Sequence, residues 1–217
     1  MSKIITPTKR VAFSCLLRGF LWWRGLILGI SALAVGTNAP ATSVVPPDFL
    51  ELVNQADYIV RVVVKSVASE WRTSPGQRHI FTRVELEVKE VIAGTPPQPL
   101  VLEMLGGKMG DEELVVEGVP RFKVGDEDIL FVHGNGQQFC PLVAIMHGRY
   151  PIMRDSDSGR RYIARSNGVP LFDEKEVSLP MSRKIPAAQA ARTGLQSLSP
   201  ADFVKRIQAM RHDRAQN

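Results

Sequence analysis

Cysteine is nearly absent, with only Cys15 and Cys140 among 217 residues. Cys15 lies in an N-terminal segment that we expect to be removed, which would leave Cys140 alone in the remaining chain. A single cysteine cannot form an intramolecular disulfide, so the fold must rest on an apolar core. Residues 42–217 are enough to bury such a core in one domain.

An excess of one charge is also missing once the N-terminal segment is set aside. The chain has 27 Lys and Arg against 22 Asp and Glu, and residues 1–41 hold five of these bases and no acid. The rest of the chain is therefore formally neutral. A phosphate backbone needs a basic surface, so net charge predicts no nucleic-acid partner.

Residues 1–41 have the features of a signal peptide. Basic residues come first, an uncharged run from Gly25 to Gly36 follows, and Ala39–Ala41 fits a cleavage site that leaves Thr42 as the new N-terminus. We therefore predict a periplasmic or secreted protein. The apolar run is shorter than the roughly 20 residues of a spanning helix. The alternative is a membrane anchor through residues 11–36, so membrane contact is expected only if the leader stays uncleaved.

Alternation of apolar and polar residues predicts a mainly β domain over residues 42–175. The clearest case is Thr82–Val91, where Val84 and Leu86 alternate with charged residues, as in a half-buried strand. Short strands at regular spacing predict a small antiparallel barrel of the oligonucleotide/oligosaccharide-binding (OB) type, or a sandwich. The other predicted strands are Tyr58–Val64, Pro99–Met104, Asp128–Val132, Leu142–Ile145, Arg149–Met153 and Arg161–Ala164. The residues predicted to pack together as one core are Val60, Val62, Val64, Val84, Leu86, Val88, Leu102, Ile129 and Phe131.

Two helices complete the prediction. A short N-terminal helix is expected over Asp48–Val53, and a C-terminal amphipathic helix over 199–213, where Ser199 and Asp202 suggest a capping box. Its apolar stripe is expected to dock on the β domain. Residues 176–198 are predicted to be a linker and 214–217 a tail.

Several segments, taken in order, resemble a group of exported bacterial β-barrel domains, some of which precede matrixin-like metallopeptidase modules. The segments that carry this resemblance over about residues 48–165 include Ala56–Val60, Glu70–Arg72, Gly106–Gly107, Pro120–Phe122, Gly125–Val132 and Gly148–Tyr150. The strand order is also similar to the barrel of tissue inhibitors of metalloproteinases. The peptidase motif H-E-x-x-H is missing, and the expected start at Thr42 is not the cysteine that such inhibitors place on zinc. The resemblance therefore implies no activity.

Residue spacing predicts neither a catalytic site nor a metal site nor a cofactor. The four histidines do not form metal-ligand pairs. The acidic clusters 126–128 and 155–157 could suggest calcium, but both are better explained as turns. The alternative is a hydrolase that uses Cys140 as nucleophile with His133 or His147 as base.

The favoured hypothesis is a non-enzymatic binding domain of the cell envelope, with an envelope protein or a glycan as partner. Its predicted ligand-binding residues are Trp71, Arg72, Gly106 and Gly107. An exposed tryptophan beside an arginine suits a ligand edge. The alternative is that Trp71 caps the core. Adjacent glycines indicate a bend or bulge.

Overall fold

The structure is a computed structural model that describes residues 45–74, 76–181 and 196–216. Residues 1–41, with the predicted signal peptide, lie outside the described residues. The described residues belong to one compact unit. Within the three ranges, no helix has both the length and the apolar character needed to cross a membrane.

The domain is built around one six-stranded antiparallel sheet with the order β3-β2-β1-β6-β7-β8, and β4 and β5 form a separate hairpin. The strands are β1 (Tyr58–Ser74), β2 (Gln77–Ala93), β3 (Leu100–Leu105), β4 (Gly107–Met109), β5 (Glu112–Leu114), β6 (Glu127–Val132), β7 (Arg149–Arg154) and β8 (Arg161–Ile163). The helices are α1 (Phe49–Gln55) and α2 (Pro200–Gln216), with 3₁₀ turns at Ile145–Gly148 and Glu174–Ser178. The prediction of a mainly β domain with a helix near each end is confirmed.

The sheet is open and does not close into a barrel, because its two edge strands bond to loops instead of to each other. On β3, the Leu105 amide donates to the Phe139 carbonyl at 2.7 Å. On β8, the Ile163 amide donates to Leu198, and the Ile163 carbonyl accepts from Leu171, both at 2.9 Å. These contacts satisfy backbone groups that an exposed edge would leave free.

Two apolar clusters lie on opposite faces of the sheet. In β6, Leu130 and Val132 belong to one cluster, whereas Ile129 and Phe131 belong to the other. The strand is buried on both faces, as its nearly continuous apolar run predicted. The expectation of a single nine-residue core is therefore wrong for Ile129 and Phe131, because alternate residues of one strand point to opposite sides.

The predicted register of β2 is confirmed. Val84 and Leu86 are buried, while Arg83 and Glu87 are exposed. Val88 is partly buried and packs against the same cluster.

Both predicted helix starts are confirmed. At α1, the Glu51 amide donates to the Asp48 carboxylate at 2.7 Å, and the Asp48 amide donates back to the Glu51 side chain. At α2, the Asp202 amide donates to the Ser199 hydroxyl at 3.1 Å. The apolar stripe of α2 docks on the domain as predicted, and its Phe203 packs against the aromatic rings of the cluster around α1.

Segments expected to be irregular are partly ordered. α2 continues to Gln216, so it includes most of the predicted tail 214–217, where neither glycine nor proline interrupts the helix. In the segment expected to be a linker, 176–198, Val177 is buried and the Leu198 amide donates to Leu171 at 2.7 Å. Its middle, 182–195, lies outside the described residues.

The predicted strand Leu142–Ile145 is wrong. Only Leu142 makes a β-bridge, to Val132, and the chain then enters a 3₁₀ turn. Ala144 and Ile145 have φ of 46° and 57°, values that no strand adopts. Gly148 permits this turn, because a Cβ there would lie 2.8 Å from the Val143 backbone.

Candidate functional site

A groove of about 370 Å³ lies between the sheet and the β4–β5 hairpin. Gly106 and Gly107, two of the predicted ligand-binding residues, line it. Its other lining residues are Val67, Ser69, Thr82, Met104, Leu105, Lys108 and the segment 113–122. This volume is in the range of small-ligand pockets.

The two glycines create the groove by turning the chain sharply at the end of β3. The Gly106 amide donates to the Ile80 carbonyl at 2.7 Å, and the Thr82 hydroxyl donates to the Gly106 carbonyl at 2.6 Å. At Gly107, φ is +139°, and a Cβ would lie 2.4 Å from the Thr82 hydroxyl and 2.5 Å from that of Ser69. Only glycine fits here, so the hairpin can fold close over the sheet.

The groove combines an apolar floor with a charged rim. Val67, Met104 and Phe122 supply apolar side chains below. At the rim, the Arg121 guanidinium donates to the Glu113 carboxylate at 2.7 Å. Both of these side chains are well exposed, so the pair contributes little stability and can rearrange around a ligand.

Trp71 lies on the same face of the sheet as the groove but does not line it. Its cross-strand partner is Ile80, while Ser69, two residues earlier on the same face, pairs with Thr82 in the groove wall. The Arg78 guanidinium lies over the Trp71 ring, 4.5 Å from its centroid. Trp71 is partly buried, and this cation–π contact occupies one side of its ring.

Arg72 points to the opposite face. Its guanidinium makes two hydrogen bonds of 2.7 Å to the Glu103 carboxylate and a third, of 2.6 Å, to Glu70. These hydrogen bonds raise the pKa of Arg72. The structure thus brings Gly106 and Gly107 together with the face that carries Trp71, and separates Arg72 from them.

Within the described residues, neither of the two histidines considered with Cys140 acts on its thiol. Cys140 is 2% exposed, and burial raises the pKa of its thiol to about 12, despite a hydrogen bond with the Leu142 backbone. His133 is bonded to Asp57 through Nδ1. Burial, together with the nearby Arg165, lowers the pKa of His147 to about 4. Neither histidine is among the groups that set the pKa of Cys140.

The structure also reveals a network centred on Arg149, which sequence patterns did not predict. The Arg149 guanidinium bonds to the carboxylates of Asp128 and Asp126 and to the Arg121 carbonyl, at 2.6–3.2 Å. It also stacks 4.2 Å from the centroid of the Phe122 ring. The acidic cluster 126–128 therefore provides carboxylates for a guanidinium. The sequence did contain one signal for this network: Asp128 adjoins an apolar strand, and a buried charge needs a partner.

The other acidic cluster forms the turn of the β7–β8 hairpin. The Asp155 carboxylate accepts hydrogen bonds from the Asp157 and Ser158 amides and from the Ser158 hydroxyl. This pattern is that of an Asx turn.

A second cavity, of about 380 Å³, lies at the end of the sheet where β1 begins and β6 ends. Its walls are mostly polar: Asp57, Tyr58, Pro97, His133, Gly134, Asn135, Gln137 and Gln138. We refer to these eight residues as the polar cleft.

Comparison with known proteins provides no assignment. No protein-family model matches the chain, and no curated protein matches it in sequence.

Proposed function

We propose that this protein is an exported, non-enzymatic binding domain of the cell envelope and that it binds its partner in the groove beneath the β4–β5 hairpin. The observation that carries this proposal is the groove itself, whose entrance is set by Gly106 and Gly107. Concave sites with an apolar lining and a few placed polar groups are the usual form of binding sites.

The lining favours a segment of an envelope protein as the partner. Val67, Met104 and Phe122 suit an apolar side chain, which loses contact with water on binding. Lys108 and Glu117 line the groove, as does the Arg121–Glu113 pair. These charges, of both signs, can bind polar groups of the partner on either side of its apolar side chain. Polar rims around apolar centres are typical of protein–protein interfaces.

The chemistry of Cys140 supports a non-enzymatic function. A thiol with a pKa near 12 is protonated at neutral pH, whereas a nucleophilic cysteine must be a thiolate. Neither the His133 nor the His147 imidazole lowers this pKa, so neither activates the thiol.

Site-specific photo-crosslinking in the cells that produce the protein tests this proposal. Val115 lines the groove and is 65% exposed, while Val124, outside it, is 67% exposed, which makes a matched control. A crosslinking amino acid at position 115 should give a discrete adduct with an envelope protein, and one at position 124 should not. Equal adducts at both positions, or none at 115, would contradict the proposal.

Affinity for the partner found in this way provides the second measurement. Val116→Asp places a charge in the groove and should weaken binding at least about tenfold, the effect of roughly 1.4 kcal/mol. Val124→Asp should leave the affinity unchanged. Equal affinities of the two variants would place the contact outside the groove.

A further inference from the structure

The polar cleft contains a carboxylate and an imidazole that orient each other. The Asp57 carboxylate accepts from the Gly134 amide at 2.8 Å and lies 3.1 Å from Nδ1 of His133. A neutral imidazole that donates through Nδ1 presents Nε2 as an acceptor. The hydrogen bond from the Gly134 amide, more than that from His133, lowers the pKa of Asp57, so this carboxyl group is negatively charged at neutral pH.

Tyr58 provides a donor deeper in the cleft, and Asn135 orients it. The Asn135 side-chain amide donates to the Val101 carbonyl at 2.8 Å and to the Tyr58 hydroxyl at 3.4 Å. Its Oδ1 is buried, so Asn135 positions the Tyr58 hydroxyl through Nδ2 and does not itself present an acceptor to a ligand. Burial raises the pKa of Tyr58, so the phenol keeps its proton, which it can donate.

We propose that the polar cleft binds a neutral carbohydrate. Each sugar hydroxyl both donates and accepts, and the cleft supplies both functions: an acceptor at His133, a donor at Tyr58, and amides at Gln137 and Gln138.

Charge and shape support the same class of ligand. The cleft lining contains neither Lys nor Arg and includes the Asp57 carboxylate, so phosphorylated or acidic ligands are disfavoured by repulsion. Pro97 adds an apolar surface against which the C–H face of a pyranose can pack. The volume of about 380 Å³ is that of a site for one small ligand.

This site is separate from the groove. Tyr58 begins β1, whereas Val67 and Ser69, which line the groove, lie farther along the same strand. The two sites share no lining residue. Failure of carbohydrate binding would therefore leave the groove proposal standing, and the reverse also holds.

Isothermal titration calorimetry on the full chain tests the proposal with three probes: chitotriose and maltotriose, which are neutral, and trigalacturonic acid, which is anionic. We expect at least one neutral trisaccharide to bind with millimolar affinity and the acid to bind more weakly. Tyr58→Phe removes only the hydroxyl, and His133→Ala removes an exposed ring. Each should weaken binding about tenfold. Gln208→Ala, on the exposed face of α2, is the control and should bind as the unaltered chain does.

Thermal unfolding of each variant separates a lost contact from a lost fold, because Tyr58→Phe and His133→Ala should both keep a cooperative transition. The proposal is overturned if neither neutral trisaccharide binds or if trigalacturonic acid binds most tightly. It is also overturned if the Tyr58→Phe and His133→Ala proteins, still folded, bind within about twofold of the unaltered chain.

Discussion

Arg149 on β7 holds the fully buried carboxylate of Asp128 on β6 through two hydrogen bonds, from Nε at 2.8 Å and from Nη2 at 3.2 Å. Burial raises the pKa of Asp128, and the Arg149 guanidinium counteracts that rise. The pair joins segments that are widely separated in sequence, 120–128 and 148–150.

Removal of one member of this pair should be strongly destabilising. Arg149→Met leaves the Asp128 carboxylate buried without a partner, which costs about 3–5 kcal/mol in the free energy of unfolding. Urea denaturation would measure this cost. The double variant Asp128→Leu/Arg149→Met should recover much of the loss, and Lys65→Ala, which breaks an exposed pair with Glu85, should change stability by less than about 1 kcal/mol. If Arg149→Met lowered the free energy of unfolding by as little as Lys65→Ala, the Asp128–Arg149 pair would not be needed for stability.

Acid should destabilise the domain through His147. Its pKa is about 4 in the folded protein, against an ordinary value of about 6.5. The unfolded chain therefore binds the proton more readily between these values. The stability contributed by neutral His147 is complete above pH 6.5 and is lost as the pH falls toward 4, with a slope of up to about 1.4 kcal/mol per pH unit.

Urea denaturation at pH 4.5, 5.5 and 7 would measure this slope. His147→Phe should flatten it, while His79→Asn, a partly exposed control on β2, should not. The same slope in the unaltered chain and in His147→Phe would assign the acid sensitivity to other groups.

The Cys140 thiol should react slowly with thiol probes. Its pKa near 12 leaves almost no thiolate at neutral pH, and only 2% of the residue is exposed. Labelling with iodoacetamide at pH 7, followed by mass spectrometry, should become fast only in denaturant. Fast labelling of the folded protein at pH 6 that is lost in His133→Ala would reinstate the hydrolase hypothesis.

Gly107→Ala should disrupt the groove. The added Cβ would lie within 2.5 Å of the Ser69 and Thr82 hydroxyls, which belong to two different strands. The matched control is Gly110→Ala, where φ is also positive at +59° but no atom lies within 4 Å. We expect the Gly107 variant to lose about 1–3 kcal/mol more stability than the control, as measured by chemical denaturation. Equal losses would mean that neither the close hydroxyls nor the more extreme φ of Gly107 affects stability.

Export predicts a defined N-terminus. Mass spectrometry of the protein recovered from the periplasm or the medium should find a chain that begins near Thr42. Recovery of only the intact chain of 217 residues, in the membrane fraction, would favour the anchor through residues 11–36.

Sequence reasoning was most accurate where structure depends on neighbouring residues. Alternation along β2 predicted which side chains are buried, and Asp48 and Ser199 predicted where the helices begin, because strand faces and helix caps are local properties. It was wrong at Leu142–Ile145, since apolar residues do not reveal the positive φ of Ala144 and Ile145.

The candidate site was predicted only in part. Gly106 and Gly107 were recognised as a bend, but the groove depends on β4 and β5, strands of three residues that are too short for a pattern. Arg72 was expected at the ligand face, yet its partner Glu103 is 31 residues away on β3. Such pairings depend on how the strands assemble, which periodicity does not encode.

The burial of β6 on both faces has a consequence for unfolding. Leu130 and Val132 support one cluster, Ile129 and Phe131 support the other, and the backbone between them is shared. Disruption of β6 would therefore remove one wall of both clusters at once. Despite its two apolar layers, the domain should therefore melt as one cooperative unit, in a single transition observed alike by fluorescence and by circular dichroism.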